Sequence, residues 1–146
     1  MNLGELYREQ ILDHARHPRN AALRSDDVVL VDEENPMCGD RIRLTATVED
    51  GRVTDVRFEA NGCAISVASA SMMSERVRGR PVAEVRELCA EVIRGLRGEA
   101  DMDETEFGEV AALAGVSRFP MRVKCGTMGW HALRNAIEKL MPDSPG

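Results

Sequence analysis

Residues 41–60, "RIRLTATVEDGRVTDVRFEA", decide the fold of this 146-residue chain. On both sides of Asp50 and Gly51, hydrophobic residues alternate with polar ones. This period of two places one face of a strand in the core and the other in water. Glycine at position 51 supplies the positive φ angle that a tight hairpin turn needs. The stretch therefore predicts a β-hairpin with one buried face.

The flanking segments predict a third strand and a set of helices. The run "VVLVD" favours a short strand at 28–32 beside the hairpin. Helical periodicity or helix-start residues predict helices before Pro18 and over 65–77, 81–98 and 127–140. A weaker pattern predicts a further short helix over 106–114. The acidic stretch 98–109 predicts a solvated loop. Strands followed by helices indicate an α+β fold, in which helices pack on one face of a three-stranded antiparallel sheet. We expect one domain over residues 1–146.

Composition and charge exclude several classes of function. The chain is 43% hydrophobic and 30% charged, with a formal net charge of −6. Nucleic acid is not an expected partner, because phosphate binding draws on a basic field. No apolar run is long enough to span a bilayer. No basic stretch followed by an apolar segment opens the chain, so we expect no signal peptide and take the cytoplasm as the default location.

Four cysteines carry the chemical interest of the sequence, at positions 38, 63, 89 and 125. They form no CxxC pair, and a reducing compartment makes a disulfide framework unexpected. Any shared site must therefore be assembled by the fold. Cys89 lies on the apolar stripe of the 81–98 helix, which predicts simple core packing.

The other three cysteines fall at junctions between predicted elements. Cys38 lies two residues before Asp40, so both side chains can point the same way in an extended chain. Cys63 and Cys125 are each expected at a helix start, where the helix dipole favours the thiolate form.

Cationic neighbours strengthen this expectation for Cys125, which follows Arg122 and Lys124. The residue types alone leave core packing, a nucleophile and a metal ligand open for these thiols. Three thiolates and one carboxylate would supply the four ligands that Zn²⁺ prefers.

The three histidines favour plainer roles. His14 and His17 are expected near the end of the first helix, at the surface, where a cation complements the helix dipole. His131 lies one to two turns into the last predicted helix and is also expected at the surface.

Four separated segments resemble the U-type proteins of iron–sulfur cluster assembly, in the right order: "LYREQILDHARHPRN", "NPMCGDRI", "GCAISVASASMM" and "FPMRVKCGTMGWHAL". Within this family the sequence is more similar to the SufU branch than to the IscU-type scaffolds. IscU-type scaffolds carry a histidine where this chain has Lys124, and the segment 98–118 resembles the extra sequence of the SufU branch. Glycines at 126 and 129 depart from the family pattern and predict a looser helix start.

The resemblance implies an IscU-like fold and a sulfur-transfer function. It implies Zn²⁺ bound by Cys38, Asp40, Cys63 and Cys125. It also implies a partner, a SufS-type cysteine desulfurase that uses pyridoxal phosphate, and onward delivery to the iron–sulfur assembly machinery. In this reading Cys38 accepts the sulfur. Arg122 is a candidate, by charge, for steadying the freed thiolate.

Two other hypotheses use the same cysteines. The chain could be a scaffold on which an iron–sulfur cluster is assembled and passed on, with iron or the cluster replacing zinc. It could also be a binding module in which zinc is purely structural. Whether sulfur transfer makes the chain an enzyme in its own right stays open at this point.

Overall fold

A three-stranded antiparallel sheet forms one layer of the protein. The computed structural model describes residues 9–36 and 39–141. The strands are β1 (Val31–Asn35), β2 (Asp40–Glu49) and β3 (Arg52–Asn61), in the order β1-β2-β3. The predicted hairpin is confirmed as β2 and β3, with positive φ angles of 52° at Asp50 and 74° at Gly51.

The hairpin buries one face, as its alternation predicts. The inward side chains are Ile42, Leu44, Ala46, Val53, Val56 and Phe58, all buried. Val53 is three residues before Val56, which would place them on opposite faces of a regular strand. A register shift between Thr47 and Val48 pairs Val53 with Val48 and returns it to the buried face.

The first strand starts three residues later than predicted. It begins at Val31, opposite Leu44, and runs through polar residues to Asn35, opposite Asp40. The prediction relied on the apolar residues of 28–32. The hydrogen bonds between strands are made by the backbone, however, and do not require hydrophobic side chains. Val28, in the predicted segment, is 71% exposed.

Helices cover the buried face of the sheet, which confirms the predicted α+β architecture. They are α1 (Glu9–Arg16), α2 (Ala64–Val77), α3 (Val82–Leu96), α4 (Glu104–Phe107), a 3₁₀ helix (Gly108–Arg118) and α5 (Pro120–Leu140). Among the described residues, no helix has both the length and the hydropathy to cross a membrane.

Cys89 is fully buried on α3, and burial raises the pKa of its thiol to about 12, as expected of a core cysteine.

Two boundaries in the second half differ from the sequence expectation. Part of the acidic stretch is helical, because the Asp103 side chain caps α4 by accepting the Glu106 N–H at 2.8 Å. The last helix begins at Pro120 and not near residue 127. A proline fits the first turn, where its missing N–H would have had no helical partner. Cys125 therefore lies in the second turn of α5.

His14 is buried, and the surface expectation for it is wrong. Its Nδ1 lies 2.7 Å from the Ser71 hydroxyl and its Nε2 lies 2.8 Å from a Glu109 carboxylate oxygen. The ring thereby links α1 to α2 and to the 3₁₀ helix, a long-range contact that helical periodicity does not encode.

His17 is exposed, as expected. His131 is partly buried, and burial together with Arg134 and Arg97 lowers its pKa.

The two glycines of α5 lie in the helix interior and not at its start, which is at Pro120. Gly129 faces Ala70 of α2, and a Cβ atom added at 129 would lie 3.3 Å from the Ala70 Cα and Cβ. A Cβ at Gly126 would meet Leu96, Ile65 and Val116 at ordinary distances of 3.5 to 3.7 Å. Gly129 thus sets how closely α2 and α5 approach.

We expect Gly129→Val to destabilise the fold by about 2 kcal/mol, because overpacking forces the two helices apart. Urea unfolding measures the change. Gly126→Ala is the matched control, expected to be neutral or stabilising by about 0.5–1 kcal/mol because alanine is the better helix former. Equal stability of Gly129→Val and the unmodified protein would contradict this packing role.

Candidate metal centre

Three side chains from three elements converge at one end of the sheet. Asp40 is the first residue of β2, Cys63 is the N-cap of α2, and Cys125 lies in the second turn of α5. One ligand atom from each lies within 4.8 Å of the other two. We call these three residues the ligand cluster. The fourth predicted ligand, Cys38, lies outside the described residues.

The pairing of β2 with β3 brings the first two residues together. Arg41 pairs with Asn61, so the start of β2 lies beside the end of β3, where the chain turns into α2. Gly62 leaves room for the carboxylate at this point. A Cβ atom at position 62 would lie 2.4 Å from both Cγ and Oδ1 of Asp40, inside contact distance.

The Asp40 carboxylate is 3% exposed and is held through both oxygens. Oδ1 accepts the backbone N–H of Cys63 at 3.3 Å, and Oδ2 accepts the hydroxyl of Ser66. Ser66 was not singled out from the sequence. Its spacing of three residues from Cys63 could have indicated it, since such pairs are neighbours on a helix surface.

The Cys125 thiol is buried, at 2% exposure, and its pKa is raised. Burial is the main cause, and hydrogen bonds with Asp40 and Cys63 act in the same direction, while a hydrogen bond with Ser66 opposes them. The expectation that a helix start favours the thiolate form is therefore wrong for this residue. The helix begins five residues earlier, and desolvation of the charged form dominates.

The ligand cluster fits a zinc ion by its donor atoms and their separation. With Zn–S bonds near 2.3 Å and Zn–O bonds near 2.1 Å, tetrahedral ligands lie about 3.5–3.8 Å apart, inside the observed limit. As anions, the partly buried Cys63 sulfur, the buried Cys125 sulfur and the buried Asp40 carboxylate would repel each other, so a dication is the natural counter-charge. The donors are present and preorganised.

In a second group of residues with metal-ligand side chains, the side chains are already engaged in contacts with protein groups. One ligand atom from each of His14, Glu75 and Glu109 also lies within 4.8 Å of the others. Both nitrogens of His14 are already engaged, and Arg19 lies 3.8 Å from Glu75. We assign this group to helix packing and not to metal binding.

A groove of about 750 Å³ opens between β1 and α5. Lys124, exposed on α5, and Pro36, at the end of β1, contribute to its wall. Arg122 lies in the first turn of α5 and is partly buried. Arg122 and Lys124, which precede Cys125 in the sequence, thus lie on the same helix as Cys125.

Residues 6–126 match the family described as the NifU-like N-terminal domain. The chain belongs to this family. It is 42% identical over 138 residues to the zinc-dependent sulfurtransferase SufU of Bacillus subtilis, covering 94% of this chain and 93% of that protein. It is 38% identical over 137 residues to the iron–sulfur cluster assembly scaffold protein IscU of Streptococcus pyogenes, covering 94% and 86% of the two chains.

A solved structure of the same family has the same fold. It belongs to a candidate iron–sulfur cluster assembly scaffold protein for the SUF system from Fervidobacterium islandicum. The TM-score is 0.80 at 29% sequence identity, and the alignment covers 90% of this chain and 96% of that one. The resemblance to the SufU and IscU proteins that the sequence motifs indicated is confirmed.

Gly62→Ala tests how the Asp40 carboxylate is held. We expect at least about tenfold weaker zinc binding with the fold retained, because the added methyl group must displace the carboxylate from its position. Competition with a chromophoric chelator measures the affinity, and circular dichroism checks the fold. Gly126→Ala is the control, since it also adjoins a cluster cysteine but leaves ordinary contacts. Unchanged affinity in Gly62→Ala would contradict the arrangement.

Proposed function

We propose that this protein is a zinc-dependent sulfur acceptor of iron–sulfur cluster assembly in the cytoplasm. It would take persulfide sulfur from a SufS-type cysteine desulfurase, a pyridoxal-phosphate enzyme, and pass it to the downstream assembly machinery. The observation that carries the proposal is the convergence of Asp40, Cys63 and Cys125, two of them buried and Cys63 partly buried, in one cluster. Similarity to a zinc-dependent sulfurtransferase across nearly the whole chain supports it.

In this proposal Cys38, Asp40, Cys63 and Cys125 hold the zinc ion. Cys38 lies two residues before Asp40, so the chain can bring it to the same end of the sheet. Gly39 between them has a positive φ of 75°, a bend that glycine adopts without strain. When bound, zinc would keep the thiols deprotonated at neutral pH and limit their oxidation.

Sulfur transfer needs only a thiolate and the partner's persulfide. The Cys38 thiolate attacks the outer sulfur of the persulfide on the desulfurase cysteine. A new S–S bond forms at Cys38 while the old S–S bond breaks, and the desulfurase cysteine leaves as a thiolate. Charge and electrons balance, so the step needs no added oxidant or reductant.

The cations of α5 fit this role. Arg122 can offset the charge of the freed thiolate or of the anionic site, because a guanidinium donates charge-assisted hydrogen bonds. Lys124 occupies the position of an imidazole ligand in IscU-type scaffolds. An ammonium cannot bind a metal while it is protonated, which favours transfer over holding a cluster.

A scaffold role is the second candidate, and relatives of that class favour it. The chain is 38% identical to the S. pyogenes IscU scaffold and 39% identical to the one of Thermotoga maritima. The same cysteines would then hold iron or an iron–sulfur cluster in place of zinc.

Cys38→Ala tests the transfer step directly. We expect the unmodified zinc-loaded protein to raise desulfurase turnover several-fold and to gain one sulfur atom at Cys38. Cys38→Ala should abolish both effects, because the acceptor is gone. Turnover is measured with cysteine as substrate, and the sulfur is located by mass spectrometry of alkylated peptides. Cys89→Ala is the matched control, since Cys89 is a core cysteine outside the cluster.

Two results would reject the transfer proposal. One is stimulation that survives in Cys38→Ala. The other is no stimulation at all, combined with an oxygen-sensitive coloured cluster that forms with ferrous iron and sulfide and moves to an apo-acceptor. The second result would establish the scaffold role instead.

Zinc removal separates these roles from purely structural zinc. We expect the chelated protein to keep its secondary structure, because the hydrophobic core between the sheet and the helices does not depend on the ion. Zinc at a hundredfold excess over its Kd should add about 2.7 kcal/mol of stability by mass action. Circular dichroism and thermal melts, with and without chelator, measure both. Global unfolding on chelation would favour the structural role.

A further inference from the structure

The Ser66 hydroxyl lies at the centre of the ligand cluster. Ser66 is in the first turn of α2, is 2% exposed, and is not one of the four predicted ligands. Its Oγ donates a hydrogen bond to Oδ2 of Asp40 and lies 3.6 Å from Sγ of Cys63. It also hydrogen-bonds with the Cys125 thiol. A single side chain therefore touches every member of the cluster.

The hydroxyl has one proton to give, and in the structure it gives it to Asp40. The backbone N–H of Cys63 takes a position on the other carboxylate oxygen. The Cys125 thiol also hydrogen-bonds with this carboxylate. Contacts to both oxygens restrain the rotation of the carboxylate, and Ser66 supplies one of them. This arrangement fixes the direction in which the carboxylate faces the two cluster cysteines.

We propose that Ser66 is a positioning residue, which orients the Asp40 carboxylate towards the metal and thereby sets how tightly the centre retains zinc. The proposal rests on the zinc centre of the proposed function and deepens it. Ser66 acts through Asp40 and not by ligating the ion. Hydrogen-bonding partners of metal ligands typically change metal affinity 10- to 100-fold when they are removed.

The matched control is another buried serine of the same helix. Ser74 is fully buried, donates to the Ser71 carbonyl at 2.7 Å and accepts the Asn20 side-chain N–H at 3.0 Å. It lies two turns from Ser66 and contacts none of the cluster residues in the hydrogen bonds described. Ser74→Ala therefore removes a comparable buried hydroxyl without touching the centre.

The test measures zinc affinity by chelator competition, and the visible spectrum of the Co²⁺-substituted protein. We expect Ser66→Ala to weaken zinc binding about 10- to 100-fold and to shift the Co²⁺ ligand-field bands. Ser66→Thr, which keeps the hydroxyl, should recover most of the affinity. Ser74→Ala should leave both readouts unchanged.

A double-mutant cycle shows whether Ser66 acts through Asp40. In an Asp40→Ala background, Ser66→Ala should cause no further loss of affinity, because the group it orients is absent. This cycle uses soluble, folded variants checked by circular dichroism, so it does not depend on how well Ser66→Thr packs. Additive losses in the cycle would overturn the proposal.

Two further results overturn it. One is wild-type affinity in Ser66→Ala, and the other is an equal loss in Ser74→Ala, which would indicate a general effect on α2. A failure of sulfur transfer in the desulfurase assay, with the Ser66 effects intact, would reject the proposed function and leave the role of Ser66 standing. An unmodified protein that binds no zinc would reject both.

Discussion

The pairing of β2 with β3 is the constraint on which the rest of the structure depends. A one-residue slip in this ladder would move every inward side chain to the solvent face. The same register places the first residue of β2 beside the turn into α2, where Gly62 leaves space for the Asp40 carboxylate. One set of backbone hydrogen bonds thus determines both the buried face of the hairpin and the approach of Asp40 to Cys63. The bulge at Thr47 and Val48 allows Val53 to join the core without disturbing the register nearer the cluster.

The position of Cys125 depends on how α5 docks against α2. Gly129 allows the two helices to approach at Ala70. The Ser69 hydroxyl donates to the Gly126 carbonyl at 2.6 Å and accepts the Trp130 indole N–H at 3.0 Å. These buried contacts lie within one and a half turns of Cys125, so the thiol is placed by rigid packing and not by a loop. Precise placement on regular elements suits a site whose donors must meet one ion.

Burial destabilises unpaired anionic side chains in the cluster, and a bound cation would stabilise them. Desolvation raises the pKa of Cys125, and the nearby carboxylate reinforces this effect. A bound dication would reverse the balance, since ligating thiols lose their protons. The raised pKa favours the protonated form of the Cys125 thiol, so ligation of a metal by this sulfur would release a proton. That coupling connects the packing of α5 to the chemistry of the site.

The sequence by itself determined the hairpin, the α+β order and the core role of Cys89, and it singled out Asp40, Cys63 and Cys125. These follow from short-range patterns: a period of two, glycine in a turn, and motifs of adjacent residues. The start of β1, the burial of His14, the second-turn position of Cys125 and the contacts of Ser66 were decided only by the tertiary structure. Each depends on two elements far apart in the chain meeting in space, and a local periodicity carries no information about that approach. Asp40, Cys63 and Cys125 share a site because strand pairing and helix packing act together.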